Sequence, residues 1–534
     1  LIDFRAIQNY QNVASAPNKS VWVSANAGSG KTKVLIDRLV KLLLSGVTID
    51  RICCLTYTKA AANEMIDRLQ SIINEWAVLP ETELKEALVK IWGDDFQDIY
   101  LRRARNLFFD YHEDGYGIKI LTIHAFCLEL LQQFPIEAKI NPNPEFIDDE
   151  RKYSIIIQAK NILLKKLHKS EYHDSELISS IILENIMEGK FNAALQYFCD
   201  NRLKYNCLFY DDAINNAALK QLYYNCNFDI ELDFADNMRK ILYCDDKIIQ
   251  TLQTAAKILG GSDKKTDLEL ADKIILFLNS PQQISDCYAL AKLFFTEKGT
   301  VRKNFPTTYF AKKAGQLLQL EWDNLAKLLQ NYYQQYHIWH SVRLSHALMR
   351  IAYYYISEYQ QLKQQKNLLD YNDLLEKTVK LLRDNSVADW VLYKLDGKIE
   401  HLLIDEAQDT SSLQWQITEL IISELFSGQG SKTSGSLFVV GDEKQSIFGF
   451  QGAQPSEFVA RADYYYAKAK LAYHDFVYVP LQFSFRTLPA ILDFVDATFR
   501  IVELKSAVTM LEESVQHKTV RKGYGIVRLY PTVN

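Results

Sequence analysis

A chain of 534 residues is long enough for two to four domains, each with its own core. Its 48% apolar and 24% charged residues are ordinary for a soluble globular protein. The balance of 61 Lys+Arg against 66 Asp+Glu leaves −5, which excludes a globally basic nucleic-acid binder but not a local basic groove.

Eight scattered cysteines with no C-x-x-C pair argue against a disulfide framework or a zinc site, and a reducing cytoplasm is expected. No apolar run reaches the roughly 18–20 residues of a membrane span. The first residues, Leu1-Ile2-Asp3-Phe4-Arg5, do not read as a signal peptide. They also lack Met, so the natural start is expected upstream.

In chain order, short β-branched runs at Ser20–Ser24, Ile52–Leu55 and Lys119–Leu121 predict buried strands, and the first two lead into the helical periods Lys31–Leu44 and Ala60–Ile73. From about Glu150 to Leu382 nearly everything reads as amphipathic helix. Strand signals return at His401–Asp405, Leu437–Gly441 and Phe476–Leu481, with Ser427–Ser436 predicted as a flexible loop. Strand followed by helix, repeated, predicts an α/β fold with a parallel sheet, interrupted by a large all-helical insertion.

Ala25-Asn26-Ala27-Gly28-Ser29-Gly30-Lys31-Thr32 lies between a predicted strand and a predicted helix, the context of a phosphate-binding loop. Its glycines let backbone N–H groups curl round phosphates, Lys31 would reach the β/γ-phosphates, and Thr32 would hold Mg2+. Ala25 replaces the usual first glycine, and the loop alone says only ATP or GTP. His401-Leu-Leu-Ile-Asp405-Glu406-Ala407-Gln408-Asp409-Thr410 is an apolar strand ending in two acids. Asp405 at its tip can hold Mg2+ through water, while Glu406 can polarise an attacking water. A surface turn would explain the acids but not the apolar run before them.

The D-E-A-Q form followed by Asp-Thr resembles the second motif of the UvrD/Rep/RecB-type helicases of superfamily one. Further blocks follow in that family's order. Gln11-x-x-Ala14-x-x-Pro17 stands where the family has its adenine-reading glutamine; Leu55–Met65 and Leu121–Cys127 are similar to the blocks after its second and third strands. Gly441–Ala453 and Leu481–Thr487 are similar to its third and fourth motifs. Leu369–Leu374, Trp390–Asp396 and Gln451 resemble the AddA branch, which supplies the helicase–nuclease component of a double-strand-break repair complex.

The resemblance implies a RecA-like phosphate-loop sheet carrying a helical insertion and the start of a second RecA-like domain. The expected parts are 1–145 and 389–465 for the first motor domain, 146–388 for the insertion, and 466–534 for the incomplete second domain. It implies ATP and Mg2+ as cofactors, with Gln11 at the adenine, Gln445 sensing the γ-phosphate, Arg486 as an arginine finger and Phe485 stacking on the base. Single-stranded or end-containing double-stranded DNA is the implied partner, on a track of Thr56, Tyr57, His124, Phe126, Phe448 and Phe450. A chain carrying the remaining motor motifs and an AddB-like second subunit are further implied partners, with no membrane involved. The later motifs and the nuclease cluster are absent from this stretch. Two readings therefore stand: a helicase motor whose other half lies elsewhere, or an ATP- and DNA-binding protein with little motor activity. A P-loop kinase or GTPase fits poorly, because these blocks do not belong together there.

Overall fold

The computed structural model describes residues 4–113, 118–185, 188–205, 208, 211–230, 234–280, 284–296, 300, 302, 307–384, 386–396, 399–426, 435–449, 452–501, 504 and 516–530. They form two compact units, Leu1–Phe146 with Asn367–Asn534, and Ile147–Lys366.

The first unit is built on a parallel sheet of six strands: β1 (Ser20–Ala25), β2 (Ile52–Thr56), β3 (Lys119–Thr122), β6 (His401–Ile404), β7 (Ser436–Gly441) and β8 (Phe476–Leu481). Two short parallel pairs complete the strands, β4 (Glu145–Phe146) with β5 (Leu368–Leu369), and β9 (Phe483–Ser484) with β10 (Lys518–Thr519). Sheet order is β3-β2-β6-β7-β1-β8, so neighbours in space are not neighbours in sequence. Each predicted strand is present, because β-branched runs without polar alternation suit a sheet covered on both faces.

Helix α1 (Phe4–Ala14) precedes β1, and α2 (Lys31–Ser45), α3 (Lys59–Val78), α4 (Glu81–Trp92), α5 (Ile99–Glu113) and α6 (Ile123–Gln133) follow the early strands. Thr58 and Thr122 cap α3 and α6 through their hydroxyls, and Gly46 at φ 97 closes α2 with its N–H on Leu42 and Leu43. Alternation along β1 divides the core. Val21 and Val23 join Leu39, Leu43, Phe438 and Val440 on one face. Trp22 points the other way, its ring 5.9 Å from Trp415 and 5.0 Å from Phe458.

The second unit is all helical: α7 (Asp149–His168), α8 (Ser175–Asn185), α9 (Glu188–Asp200), α10 (Asp212–Asn225), α11 (Phe234–Cys244), α12 (Asp246–Gly260), α13 (Lys265–Leu278), α14 (Ile284–Phe294), α15 (Thr308–Lys313) and α16 (Gln316–Gln365). The 50 residues of α16 span roughly 75 Å at 1.5 Å per residue. Its first half shares an apolar core with α11–α14, including Leu252, Ile274, Phe294, Trp322 and Leu329. Its second half packs on α7–α10 around a buried guanidinium, Arg350, which donates to Asp174 at 2.6 Å and Asp212 at 2.7 Å.

Two boundaries differ from the sequence reading. The helical unit ends at Lys366, not 388, because α17 (Tyr371–Arg383) packs on α6 and on α19 (Ser412–Leu425). Its Leu374, Leu375, Leu381 and Leu382 are buried; α18 (Ala388–Asp396) joins α17 and α19. At the other end, 466–534 is expected in a second motor domain, yet α20 (Pro455–Leu471) contacts β8, and β8 pairs with β1 along the first sheet from Ser20↔Phe476 to Ala25↔Leu481. Helix α21 (Pro489–Thr498) comes after that edge strand.

Candidate functional site

Strand register brings the ends of β1, β2, β6, β7 and β8 to one edge. Ser24 lies opposite Gly441, Leu55 opposite Ile404, and Ala25 opposite Leu481. The carboxyl edge of an open parallel sheet is where such folds bind ligands.

From β1 the chain turns through Asn26–Gly30 into α2. Gly28 and Gly30 take φ of 72 and 90, the left-handed region open to glycine. Gly28 is required twice over, because a Cβ there would lie 2.7 Å from Arg486 Cβ and 2.9 Å from Ser484 Oγ. The loop is tied to the Ser484–Arg486 segment by the Phe485 N–H, which donates to the Gly28 carbonyl at 2.8 Å. Helix α2 starts without a side-chain cap, so its first-turn N–H groups face the loop's concavity. The Ser29 hydroxyl is buried with no hydrogen-bond partner among the described residues. A cradle of left-handed glycines, an uncapped helix start and an orphaned buried hydroxyl fit a bound phosphate chain.

Lys31 Nζ donates to Glu406 Oε2 at 3.0 Å. Glu406 itself takes φ 47, which turns its side chain back over the loop. The neighbouring Asp405 is buried at the tip of β6, its N–H on the Leu55 carbonyl at 2.9 Å. Burial pushes the Asp405 carboxyl up to about 7, reinforced by the Glu406 charge and opposed by Lys31. A buried acid so placed fits a cation: Mg2+ bound there would keep Asp405 ionised and neutralise phosphate oxygens. Thr32, in the first turn of α2, is the hydroxyl available to the same ion. Among the described residues no cluster of three or more His, Cys, Asp or Glu forms a self-contained metal site.

A relay leads away from the acids. Gln408 Nε2 donates to Glu406 Oε2 at 2.8 Å, and Gln408 Oε1 accepts the Asp442 N–H at 2.9 Å. Asp442 is buried, pairs with Lys444 Nζ at 2.9 Å, and accepts from the Gln445 side-chain amide. Just beyond, Phe448 lies against Tyr57 with ring centroids 4.3 Å apart. Lys31, Glu406, Gln408, Asp442 and Gln445 thus belong to one connected group, and Phe448 of the Tyr57–Phe448 pair lies three residues further along the chain.

The other expected residues are placed less uniformly. Gln11 stands over the loop, its Nε2 3.5 Å from where a Gly30 Cβ would be. Asn26 is held at the mouth of the loop by its N–H on the Leu481 carbonyl at 3.0 Å, with Ala27 between it and Gly28. Phe485 is 40% exposed and Arg486 is exposed, both beside Gly28. His124 lies 5.3 Å from the ring of Tyr371, which is exposed and 6.3 Å from Phe146.

Phe126 is corrected: it is 4% exposed on the core side of α6 and offers no ring face to a base. Thr56 is also buried, with its hydroxyl lacking a partner among the described residues, so its side chain does not face solvent. Phe450 lies outside the described residues. Gln408, Asp442, Ser484 and Tyr371 lie within the motif blocks, and their contacts, rather than the motifs, bring them into the site. The signal for Gln408 was an amide two residues beyond the strand-tip glutamate, within reach of its oxygen.

A parallel sheet with a phosphate cradle and adjacent acids at its carboxyl edge defines the class: a RecA-like phosphate-loop fold with a helical insertion. Residues 7–465 match the UvrD/REP helicase N-terminal domain, and the chain belongs to that family. It is similar to the A subunit of the ATP-dependent helicase/nuclease of Levilactobacillus brevis, 27% identical over 90% of this chain and 37% of the relative. The protein of that name in Enterococcus faecalis is 25% identical over 90% and 37%, and that of Clostridium acetobutylicum 25% over 84% and 36%. The chain therefore spans little more than a third of the length of these relatives.

Proposed function

We propose that this chain is the N-terminal motor portion of an ATP-dependent DNA helicase or translocase acting in recombination and double-strand-break repair. The observation that carries the reading is the connected set Lys31–Glu406–Gln408–Asp442–Gln445, which starts at the phosphate cradle and ends three residues before Phe448, whose ring packs on Tyr57. Such a set lets the state of the nucleotide be felt where aromatic rings can stack on bases. In this reading Lys31 and the loop N–H groups grip the β/γ-phosphates, Glu406 takes the proton of the attacking water, and Arg486 stabilises charge on the transferring group. Thr32 and Asp405 hold Mg2+, and Gln445 reports the γ-phosphate to the DNA track.

The relatives' name, which joins helicase to nuclease, supports an AddA-like role with a DNA-end substrate and an AddB-like second subunit. Cytoplasmic work is consistent with the free cysteines Cys53, Cys54, Cys127, Cys199, Cys226, Cys244 and Cys287, and with no helix among the described residues long and apolar enough to cross a membrane.

The test is binding of a fluorescent oligothymidine strand with and without a non-hydrolysable ATP analogue. Affinity should change severalfold with the analogue, and Tyr57→Ala or Phe448→Ala should each weaken binding about 5–100-fold, as expected for one lost stack. Strand binding that ignores both the analogue and the two substitutions would remove the support for a coupled motor.

A further inference from the structure

One face of the phosphate-loop helix is occupied by cations with no role in the chemistry above. Arg38 is completely buried, and no acid forms an ion pair with it among the described residues. Its guanidinium donates instead to the Ala16 carbonyl, to the Lys19 carbonyl at 2.6 Å and to Ser436 Oγ at 2.9 Å, with the Phe438 ring 5.2 Å away. One turn further along α2, Lys41 is also buried, and its Nζ donates to Ser15 Oγ at 2.8 Å. The Ser15 hydroxyl in turn donates to the Gln11 carbonyl at 2.9 Å. Arg38 and Lys41 therefore both reach the last turn of α1 and the segment leaving it, where the carbonyl end of a helix favours positive charge.

That last turn carries Gln11. A third cation of α2, Lys33, reaches the same residue from the other side, its Nζ 3.2 Å from Gln11 Oε1. Lys33 is a donor only, so it fixes which way the amide lies: oxygen toward Lys33, nitrogen toward Gly30. An amide held in this sense presents one acceptor and one donor side by side. Adenine offers the complementary pair, its N6 donor and N7 acceptor, whereas guanine offers two acceptors at N7 and O6. Selection between them depends on the amide being unable to shift or turn.

We propose that Ser15 and Lys41, anchored by Arg38, are positioning residues that fix Gln11 at the orientation selecting an adenine base. The inference rests on the nucleotide-site reading above and adds to it what holds the base-reading residue still. Burying an ammonium and a guanidinium is costly; Asp37 and Asp95 offset part of that cost for Lys41, and the hydrogen bonds of both cations to α1 and to the segment after it are what the arrangement gains. Loosening these bonds lets Gln11 move relative to the base, while the phosphate cradle, built from β1 and the start of α2, is left in place.

The experiment measures affinities of the full chain for ATP, GTP and inorganic tripolyphosphate in Lys41→Met, which removes the Lys41–Ser15 hydrogen bond, and in Ser15→Ala, which removes that bond and the one to the Gln11 carbonyl; both leave Arg38 intact. Circular dichroism and the urea midpoint establish that each variant is folded. Either variant should bring the ATP/GTP affinity ratio down about tenfold, the scale of one lost charge-assisted hydrogen bond. Tripolyphosphate affinity should stay within about twofold of wild type on the same scale. An unchanged ATP/GTP ratio in folded variants, or tripolyphosphate affinity falling as far as ATP affinity, would overturn the positioning role. Wild-type protein that binds neither nucleotide, or a Lys31→Ala variant that binds ATP as wild type does, would instead overturn the nucleotide site itself.

Discussion

Gln408 holds two parts of the site at once, Glu406 through its nitrogen and the Asp442 N–H through its oxygen. Gln408→Ala should lower strand-stimulated ATP turnover about 10–100-fold while leaving ATP affinity within about twofold, because it misorients a general base without touching the cradle. Equal losses in turnover and affinity would place Gln408 in binding rather than in coupling. Gly441 is fixed by the same contact: a Cβ there would sit 2.7 Å from Gln408 Oε1 and 2.9 Å from the Phe458 ring. Gly441→Ala should therefore cost about 1–3 kcal/mol in urea unfolding.

His401, the first residue of β6, is buried with its Nδ1 2.7 Å from Ser436 Oγ. Burial, with the Arg38 charge and against Glu400, brings its imidazole down to about 4. The unfolded chain takes up this proton near pH ~6.5 and the folded one only near 4, so stability falls as pH drops through that window. His401→Gln should remove a slope amounting to about 3 kcal/mol between those limits; parallel stability–pH curves for the two proteins would contradict it. Single residues were legible where the constraint is local. The Gly28–Thr32 run and the Asp405–Glu406 pair carry their chemistry in a few consecutive positions. Phe126 was not legible, since its burial is decided by what packs against α6 rather than by its neighbours in sequence.

Among elements, the strands were the most legible, because a buried parallel strand needs an uninterrupted run such as Val21-Trp22-Val23. Helix α17 shows the opposite case. Its apolar period is that of any amphipathic helix, and nothing in it says which unit it joins; α6 and α19 decide that. Its start is specified locally by a capping box, in which Asp370 accepts from the Asp373 N–H and Asp373 accepts from the Asp370 N–H. Asp370→Ala should cost about 0.5–2 kcal/mol, and Asp370→Asn only part of it. Thermal melts of the two variants check the order; equal melting temperatures would show that the cap contributes nothing.

At the scale of the molecule, each of the two units has its own core, one against the sheet and one along α16. The helical unit depends on Arg350, which is buried with Asp174, Asp212 and Asn215 as acceptors and the Tyr354 hydroxyl as a further partner. Arg350→Met leaves acids without their cation and should cost about 3–5 kcal/mol. Calorimetry should show this as a lowered transition of the helical unit, with ATP affinity unchanged because the cradle lies in the other unit; a parallel loss of ATP affinity would contradict that separation.

The most direct measurement is steady-state ATP turnover by the full chain, with and without single-stranded DNA, beside Lys31→Ala. A motor built on the Lys31–Glu406–Gln408 path should raise its turnover at least about tenfold with the strand and lose that response in Lys31→Ala. Turnover that remains at the Lys31→Ala level, with the strand and with a chain supplying the remaining motor motifs, would contradict a motor and leave a protein that only binds nucleotide and DNA.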